Sequence, residues 1–276
     1  MTLLLTSVAL LTVAGIGLLL WRRSRERRVQ RAWNDLETPA PAERFDPAMV
    51  VDLPDPARRY LLHAIEPGTR LSRGVRLTLT GSMRMSRDGG LLAMESEELL
   101  TAERGYVWRA RIQMGALRIR GHDLYVHGEG RMRWWLAGLI PVVRADGPDV
   151  SRSAAGRLLA ETALFLPSML LPEAGARWEA VDASTATVRL EAGGEEVDIT
   201  LVVDPQGRLR RLTVPRWNAD PDIGPVGHLP FVSDEFEEER TFGGYTIPTR
   251  FRAGWRLGED GEFPFFYPEV EEAEYR

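Results

Sequence analysis

Most of the chain after residue 74 alternates apolar and polar side chains with a period of two. In residues 75–86, Val75, Leu77 and Leu79 share one parity, whereas arginine, threonine and serine side chains fill the other. Successive side chains of a strand point to opposite faces, so this alternation predicts a strand with one buried face and one solvated face.

Nine further segments repeat this pattern, and glycine-rich turns such as Gly193-Gly194 and Gly243-Gly244 separate several of them. Short turns between half-solvated strands favour antiparallel pairing, which predicts one large curved sheet in the form of an open half-barrel. The nine segments are residues 91–103, 106–112, 117–127, 185–191, 196–203, 208–214, 231–242, 246–257 and 263–275.

Two segments instead place apolar side chains at helical spacing. The first, residues 53–67, begins with Asp55 as a candidate N-cap. The second, residues 150–169, can be capped by Ser151 or Ser153 and separates two runs of predicted strands. A helix in that position covers the concave face of the sheet, so the predicted fold is α+β, with a helix packed inside an open half-barrel.

The first residues of the chain have the pattern of a membrane anchor. Residues 2–21 contain no charged side chain and, at about 1.5 Å per helical residue, span about 30 Å, the thickness of the hydrocarbon core of a bilayer. Six arginines follow between positions 22 and 31. The positive-inside rule keeps these arginines in the cytoplasm, so we expect a single-pass transmembrane helix with its soluble domain on the cytoplasmic side.

Proline content and charge divide the remaining sequence. Residues 38–47 contain three prolines, so the predicted organisation is an anchor with its basic flank at 1–31, a linker at 32–52 and a half-barrel domain at 53–276. Residues 1–31 carry a net charge of +5, and the rest of the chain carries −10. A net acidic body disfavours nucleic acid as a partner, since phosphates are repelled by it.

Two absences exclude much of enzyme chemistry. The chain has no cysteine, and all 35 of its residues counted as lysine or arginine are arginine. Thiolate nucleophiles, cysteine-ligated metals, Schiff-base lysines and phosphate-loop lysines are therefore excluded. We expect no cofactor and no metal, and we favour a binding function over an enzymatic one.

Polar residues near position 125 are the first candidates for a chemical role. On a strand, Asp123, Tyr125, His127 and Glu129 share one face, where the carboxylates and the imidazole could bind a metal or act as acid and base. The histidine spacings typical of metal sites, H-x-H and H-x-x-x-H, do not occur in the chain. A solvated strand face is therefore the favoured alternative.

Glu161 is a further candidate, because it lies on the predicted central helix. Arg157 precedes it by one helical turn, which favours an i,i+4 ion pair. The alternative is that Glu161 points into the concavity of the sheet, where an unpaired carboxylate would be costly. Acidic runs at residues 233–240 and 269–276 lack the spacing of a calcium-binding loop, so solvated strand faces are favoured over cation sites.

Large apolar side chains supply candidates for a ligand-binding wall. Trp134, Trp135, Leu164 and Phe165 could line a pocket for an acyl chain between the sheet and its helix. Side chains of this kind more often form a filled core, and that alternative stays open.

The centre of the sequence resembles a bacterial family of unknown function. The residues concerned are 147–171 and the segment Trp178-Glu179-Ala180-Val181-Asp182, which are similar to the Arg-Tyr-Leu-Ala-Glu and Trp-Glu-x-Ile-Asp patterns of that family. Leu158 stands where the family usually has tyrosine, so any role of that ring is absent here. The resemblance extends from about residue 53 to the C-terminus and implies a half-barrel of the lipoprotein-localisation-factor type, but no activity.

Three hypotheses about function remain. The first is a membrane-anchored module, in the bacterial plasma membrane, that binds a lipid or another apolar ligand. The second is a hydrolase or isomerase that uses Asp123, His127 and Glu129, with Glu161 as a further candidate. The third is a scaffold without a ligand. A binding module requires an apolar concavity, whereas an enzyme requires the named polar groups to converge inside it.

Overall fold

The protein is described by a computed structural model that covers residue 24, residues 26–37 and residues 42–276. The chain divides into two compact units, Met1–Asp35 and Leu36–Arg276. Residues 26–36 form helix α1. The predicted anchor at residues 2–21 lies outside the described residues, and within them no helix is both long and apolar enough to cross a membrane.

The larger unit is built on one antiparallel sheet, to which thirteen strands of the described residues contribute. Their order across the sheet is β6-β5-β4-β3-β2-β1-β13-β12-β11-β10-β9-β8-β7, so every neighbour except the β1–β13 pair is adjacent in sequence. The strands are β1 (Gly74–Met83), β2 (Leu92–Thr101), β3 (Gly105–Met114), β4 (Leu117–Val126), β5 (Glu129–Leu136), β6 (Ile140–Asp146), β7 (Arg177–Ala180), β8 (Thr185–Ala192), β9 (Glu195–Val203), β10 (Leu209–Asn218), β11 (Gly227–Phe242), β12 (Tyr245–Trp255) and β13 (Phe263–Tyr275).

All ten predicted strands are present, as β1–β4 and β8–β13, with ends shifted by up to four residues. The alternating pattern did not predict strands β5, β6 and β7, and only the family resemblance at residues 178–182 implied β7. Alternation fails in β5 because Trp134 and Trp135 are both buried, so consecutive residues are apolar on both faces of the strand. Strand β6 lies at the sheet edge and is exposed along most of its length, which removes the buried face that the pattern requires.

The central helix α3 (Pro148–Phe165) is enclosed by the sheet, as the sequence predicts. It contacts β4 and β5 near one edge of the sheet and β8 and β9 near the other. In a flat sheet β5 and β8 would lie about 48 Å apart, since neighbouring strands are separated by about 4.8 Å. The sheet must therefore curve around α3, and the Tyr125 hydroxyl of β4 accordingly lies against Gly193 in the β8–β9 turn.

The start of α3 differs from the predicted cap. Gly147, with a φ of 107°, is the N-cap, and neither candidate serine caps the helix. Ser151 lies one turn inside α3, where its Oγ accepts a hydrogen bond from the backbone N–H of Gly130 at 2.9 Å. The serine therefore joins the helix to β5 instead of capping it. The helix ends at Phe165, because Pro167 disfavours helical geometry at Leu166 before it.

The shorter helix α2 (Asp55–Ala64) matches the predicted segment, but Asp55 is its first helical residue and makes no capping hydrogen bond. Its carboxylate instead pairs with Arg58 at 2.6 Å. Phe45 and Val50, within the predicted 32–52 linker, are buried in the hydrophobic core. The folded unit therefore includes residues upstream of position 53.

Candidate functional site

A charged cluster lies between α3 and the inner face of the sheet. Arg157 projects from α3, and its guanidinium contacts Glu98 of β2 at 3.0 Å, Asp123 of β4 at 3.4 Å and Glu161 of α3 at 2.7 Å. Strand pairing brings Glu98 and Asp123 close together, since Trp108 of β3 is opposite both of them in the ladders. One arginine thus holds three carboxyl groups inside the fold.

Aromatic residues complete the surroundings of this arginine. The Trp134 indole N–H donates a hydrogen bond to Asp123 at 2.8 Å. The guanidinium of Arg157 lies 4.5 Å from the ring centre of Tyr106 and 4.9 Å from that of Trp108. Cation–π contacts strengthen when water is excluded, so these rings favour the charged form of the arginine.

Burial and neighbouring charges shift the pKa values of the ionisable groups in this cluster. Burial raises the pKa of Asp123, although Arg157 and the Trp134 hydrogen bond oppose that effect. Burial also raises the pKa of Glu98 well above its usual range, and the adjacent Glu161 carboxylate raises it further. Burial alone would lower the pKa of Arg157, but Glu161 and Glu98 raise it well above the ordinary value.

The carboxyl groups of Glu98 and Glu161 lie side by side in this arrangement. Their carboxyl groups are close enough for a hydrogen bond between them. Glu161 Oε2 is buried and has no donor among the described residues when both groups are ionised. A proton on Glu98 supplies that donor and removes the repulsion between two buried like charges.

A second arginine, Arg216 of β10, faces the interior without a carboxylate. Its Nε donates to the backbone carbonyl of Ser153 at 2.9 Å, and no described carboxylate lies within ion-pair distance of it. Its guanidinium instead lies 4.9 Å from the Phe231 ring centre and 5.3 Å from that of Trp255. Burial lowers the pKa of Arg216 to about 10, so the group remains charged at neutral pH.

Next to Arg216 the inner face is lined by an aromatic surface that sequence reasoning did not assign to a site. Phe231 contacts Trp255 at 5.3 Å and Phe265 at 6.0 Å between ring centres, and Phe263 contacts Phe265 at 5.6 Å. Three of these rings are only half-buried where they pack on the core. The aromatic surface consists of Trp108, Phe231, Trp255, Phe263, Phe265 and Phe266.

A β-bulge explains how two consecutive phenylalanines reach this surface. Ala253 pairs with Phe266 and Gly254 pairs with Pro264, so Phe265 is an additional residue in β13. In a regular strand Phe265 and Phe266 would point to opposite faces, but a bulge redirects one of them. Phe266 packs on Trp108, with 6.2 Å between their ring centres. Because Trp108 also contacts Arg157, this pair joins the aromatic surface to the charged cluster.

Of the polar residues predicted to act together, the structure unites only two. Asp123 and Glu161 meet at Arg157, so the predicted Arg157–Glu161 pair and the inward orientation of Glu161 are both present. His127 lies in the exposed β4–β5 turn with a φ of 55°, and Glu129 is exposed and pairs with Arg131. The predicted common strand face ends before His127, because the chain turns there.

The four predicted ligand-wall residues do not form one surface. Trp134 points inward, whereas Trp135 is on the outer face, where its ring centre lies 5.7 Å from that of His122. Leu164 and Phe165 are buried on α3, and Phe165 contacts Phe251 at 6.2 Å. Contact between these four residues and a ligand remains a prediction.

Cation binding gains no support from the part of the chain that the structure describes, since no group of three or more histidine and carboxylate side chains there could hold a metal ion. The acidic runs are paired with arginines across neighbouring strands. Asp234 contacts Arg211 at 2.9 Å and Arg252 at 2.7 Å, and Arg250 contacts Glu269 at 3.0 Å. These runs are therefore partly internal ion-pair networks and not simply solvated faces.

Comparison with known proteins confirms the resemblance in the sequence. The model of a family described as a family of unknown function, DUF6544, matches residues 43–267. No curated protein matches the chain. Among solved structures, a LolA superfamily protein, NE2245 from Nitrosomonas europaea, aligns with 80% of this chain and 92% of its own, at 10% identity and a TM-score of 0.42. A DUF1329 family protein from Desulfovibrio piger aligns with 74% of this chain and 86% of its own, at 13% identity and a TM-score of 0.33.

Proposed function

The chain belongs to this family of unknown function, and we propose that it is a binding module that holds a lipid or other apolar ligand against the aromatic surface. The observation that carries the proposal is that Phe263, Phe265 and Phe266 face the interior of the half-barrel while remaining only half-buried. Ligand sites are typically concave, largely apolar and supplied with a few polar groups that orient the ligand.

Arg216 is the polar group that would orient such a ligand. Its guanidinium stacks on Phe231 and Trp255 and has no carboxylate of the described residues as a partner. A long apolar ligand with an anionic end, such as a fatty acid, would place its acyl chain on the rings and its charge beside this arginine.

The proposal includes attachment to a membrane. Residues 2–21 would span the bilayer, and the six arginines that follow would keep the half-barrel on the cytoplasmic side. Anchoring would hold the aromatic surface close to the lipid phase, where apolar ligands are concentrated.

Native mass spectrometry on the full chain, released from detergent, tests this proposal. We expect a stoichiometric apolar adduct that organic solvent extracts and that can then be identified. The Phe263→Ala/Phe265→Ala variant should lose most of the adduct, because two of the three half-buried rings are removed. Phe242→Ala is the matched control, since Phe242 is also half-buried but lies at the opposite end of the strands.

A bare polypeptide mass after incubation with membrane lipids would overturn the binding proposal and favour a scaffold. Equal adduct in the double variant and in the control would place the ligand elsewhere. Circular dichroism on the same samples checks that each variant is folded, so a lost adduct can be assigned to the removed rings.

An enzymatic function is the second candidate, and the pairing of the Glu98 and Glu161 carboxyl groups beside Asp123 is the observation that favours it. Paired carboxyl groups with separated pKa values can act as acid and base. His127 and Glu129 no longer belong to this hypothesis, since both are exposed outside the cluster. If the extracted adduct is chemically converted over time by the wild type but not by Glu161→Gln, the enzyme hypothesis replaces simple binding.

A further inference from the structure

Exposed apolar side chains concentrate at one end of the strands. The turns after β1, β3 and β5 and those before β11 and β13 all lie at this end, because neighbouring antiparallel strands reverse direction at the same edge. Of eleven large apolar side chains that the described residues expose, eight lie on or next to these turns. Single exposed apolar residues are ordinary, but a concentration on one edge indicates an interaction surface.

Seven of these side chains lie on three neighbouring hairpin tips, which together we call the apolar rim. It is built from the tips of the β1–β2, β3–β4 and β5–β6 hairpins, which are consecutive in the sheet. The backbone N–H of Ala137 donates to the carbonyl of Arg118 at 2.8 Å, which places the second and third tips side by side. The apolar rim consists of Met85, Leu91, Met114, Leu117, Leu139, Ile140 and Val142, with exposures between 37% and 60%.

Strands β3–β6, behind the second and third tips of the rim, are basic, although the domain as a whole is acidic and β2, behind the first tip, carries Glu95, Glu97 and Glu98. Residues 105–144 contain seven arginines but only two carboxylates, Asp123 and Glu129, and the first of these is buried. Residues 177–276 contain eleven arginines and 21 carboxylates. The fold therefore places basic strands and acidic strands in different parts of the sheet, and the net charge of the whole chain does not show this.

Four exposed arginines lie within a few residues of the rim. Arg111 precedes Met114 in β3, Arg118 and Arg120 follow Leu117 in β4, and Arg144 follows Val142 in β6. Arg111, Arg118 and Arg120 have the strand parity opposite to that of the core residues, so they project from the outer face. Arg118 donates to the Gln113 side chain at 3.0 Å.

We propose that the apolar rim inserts into the surface of an anionic lipid bilayer, with these four arginines contacting the headgroups. Apolar tips can enter the boundary between headgroups and acyl chains, while arginines extend to phosphates above it. Anionic lipids attract each such cation independently of sequence. The surface is distinct from the aromatic surface inside the half-barrel, so this proposal does not depend on ligand binding.

The charge pattern also selects this occupant over a second copy of the chain. A symmetric dimer through the rim would bring eight arginines together, which like-charge repulsion opposes. The acidic loops at residues 219–226 and 256–262 lie on the same end of the sheet but beyond β13. Because Arg87 joins these loops to the β1–β2 tip, repulsion from anionic lipid would tilt the whole edge and bring the β3–β4 and β5–β6 tips deepest into the surface.

The β1–β2 tip of the rim is held in shape before any contact. Arg87, in the β1–β2 loop, donates to the backbone carbonyls of Asp222 at 2.8 Å and Ile223 at 3.1 Å. It also donates to the carbonyls of Gly261 and Glu262, each at 3.2 Å. Because three loops are joined through one guanidinium, docking orders little additional backbone.

The absence of cysteine allows a direct test in the full chain. Leu139→Cys is labelled with an environment-sensitive fluorophore, and the protein is reconstituted into vesicles of phosphatidylcholine alone or with about 30% phosphatidylglycerol. We expect a blue shift and quenching by acyl-chain quenchers only in the anionic vesicles. Gln206→Cys is the control, since Gln206 is exposed in the β9–β10 turn at the opposite end of the strands.

A second experiment tests the arginines by replacing them with alanine. Arg118→Ala/Arg120→Ala/Arg144→Ala should shift the docking equilibrium by about 100-fold, because each arginine contributes about 5-fold at an anionic surface. Arg189→Ala/Arg208→Ala/Arg210→Ala removes the same charge from the other part of the sheet and should leave docking unchanged. About 0.5 M NaCl should release the wild-type rim.

Three outcomes would overturn the proposal. Identical emission from the position-139 label in buffer and in both kinds of vesicle would show that the rim stays in water. An equal change at position 206 would indicate collapse of the whole domain onto lipid. Energy transfer between position-139 labels of two chains in detergent would assign the rim to self-association instead.

Discussion

Two arginines face the interior of the same half-barrel, and their surroundings are opposite. Arg157 contacts three carboxyl groups on β2, β4 and α3, whereas Arg216 of β10 contacts aromatic rings of β11 and β12 and a backbone carbonyl of α3. The pKa of Arg157 is raised by its carboxylate neighbours, although burial opposes this, whereas burial lowers the pKa of Arg216 to about 10.

The difference shows that one interior contains two kinds of surface. Around Arg157 all three carboxyl groups contact the same guanidinium, so the cluster joins α3 to β2 and β4 in a single arrangement. Around Arg216 the cation is stabilised by ring faces and is not neutralised, which leaves it able to bind an anion. The first region is suited to specifying the fold, and the second is suited to binding.

Removing each arginine in turn is the strongest test of this comparison. Arg157→Leu should lower the free energy of unfolding by about 3–5 kcal/mol, because three buried carboxyl groups lose their counter-ion. Arg216→Leu should lower it by no more than about 1 kcal/mol, because no buried carboxylate is left unpaired. Urea unfolding of the full chain in detergent measures both, and equal losses would contradict the distinction between the regions.

The adjacent tryptophans of β5 sharpen the comparison within one strand. Trp134→Phe keeps an aromatic ring but removes the hydrogen bond to Asp123, so we expect a loss of about 2 kcal/mol. Trp135→Phe changes the same residue type on the outer face, away from the charged cluster, and should cost about half as much or less. A larger loss for Trp135→Phe in thermal unfolding would show that the Asp123 hydrogen bond has little energetic weight.

The raised pKa of Glu98 should appear as a pH dependence of stability. Burial and the Glu161 carboxylate raise the pKa of Glu98 in the folded chain, so the folded state holds a proton that the unfolded state releases. Stability from this group is complete at low pH and falls as pH rises above about 4.5, by at most about 1.4 kcal/mol per pH unit.

Glu98→Gln keeps the hydrogen bond but does not titrate, so its unfolding free energy should lack that decline. The measurement is the difference between wild-type and variant urea midpoints from pH 4 to pH 8. Subtraction cancels the carboxylates with lowered pKa values, such as Glu195, which have the opposite pH dependence. Parallel curves for the two proteins would show that Glu98 is ionised throughout.

Local pattern predicted much of the fold because local rules apply to most of it. The strands from Gly74 to Val126 and from Thr185 to Tyr275 follow the period-two rule, and α3 follows the helical one. Strand β5 escaped prediction because both of its faces are covered around Trp134 and Trp135. A strand buried on both sides has no alternation to detect.

The candidate site was predictable only in part. Asp123 and Glu161 were identified, and the Arg157–Glu161 pair follows from i,i+4 spacing alone. Glu98 was missed because an acidic residue in a strand normally faces solvent, although it shares the parity of Met94 and Leu100, which are buried. The aromatic surface depends on the bulge at Phe265, and a one-residue insertion in a ladder cannot be read from side-chain type.

By itself, then, the sequence determined the α+β class, the antiparallel strands, the central helix and the membership in a family without known activity. These properties depend on the polarity of near neighbours, which a linear pattern records directly. Tertiary structure alone decided that Glu98, Asp123 and Glu161 meet at Arg157, that Arg216 lies on aromatic rings, and that seven arginines gather behind one apolar rim. These properties arise because a sheet that curves around a helix brings together residues far apart in the chain, and the register and curvature that do so are set by the packing of all the strands at once.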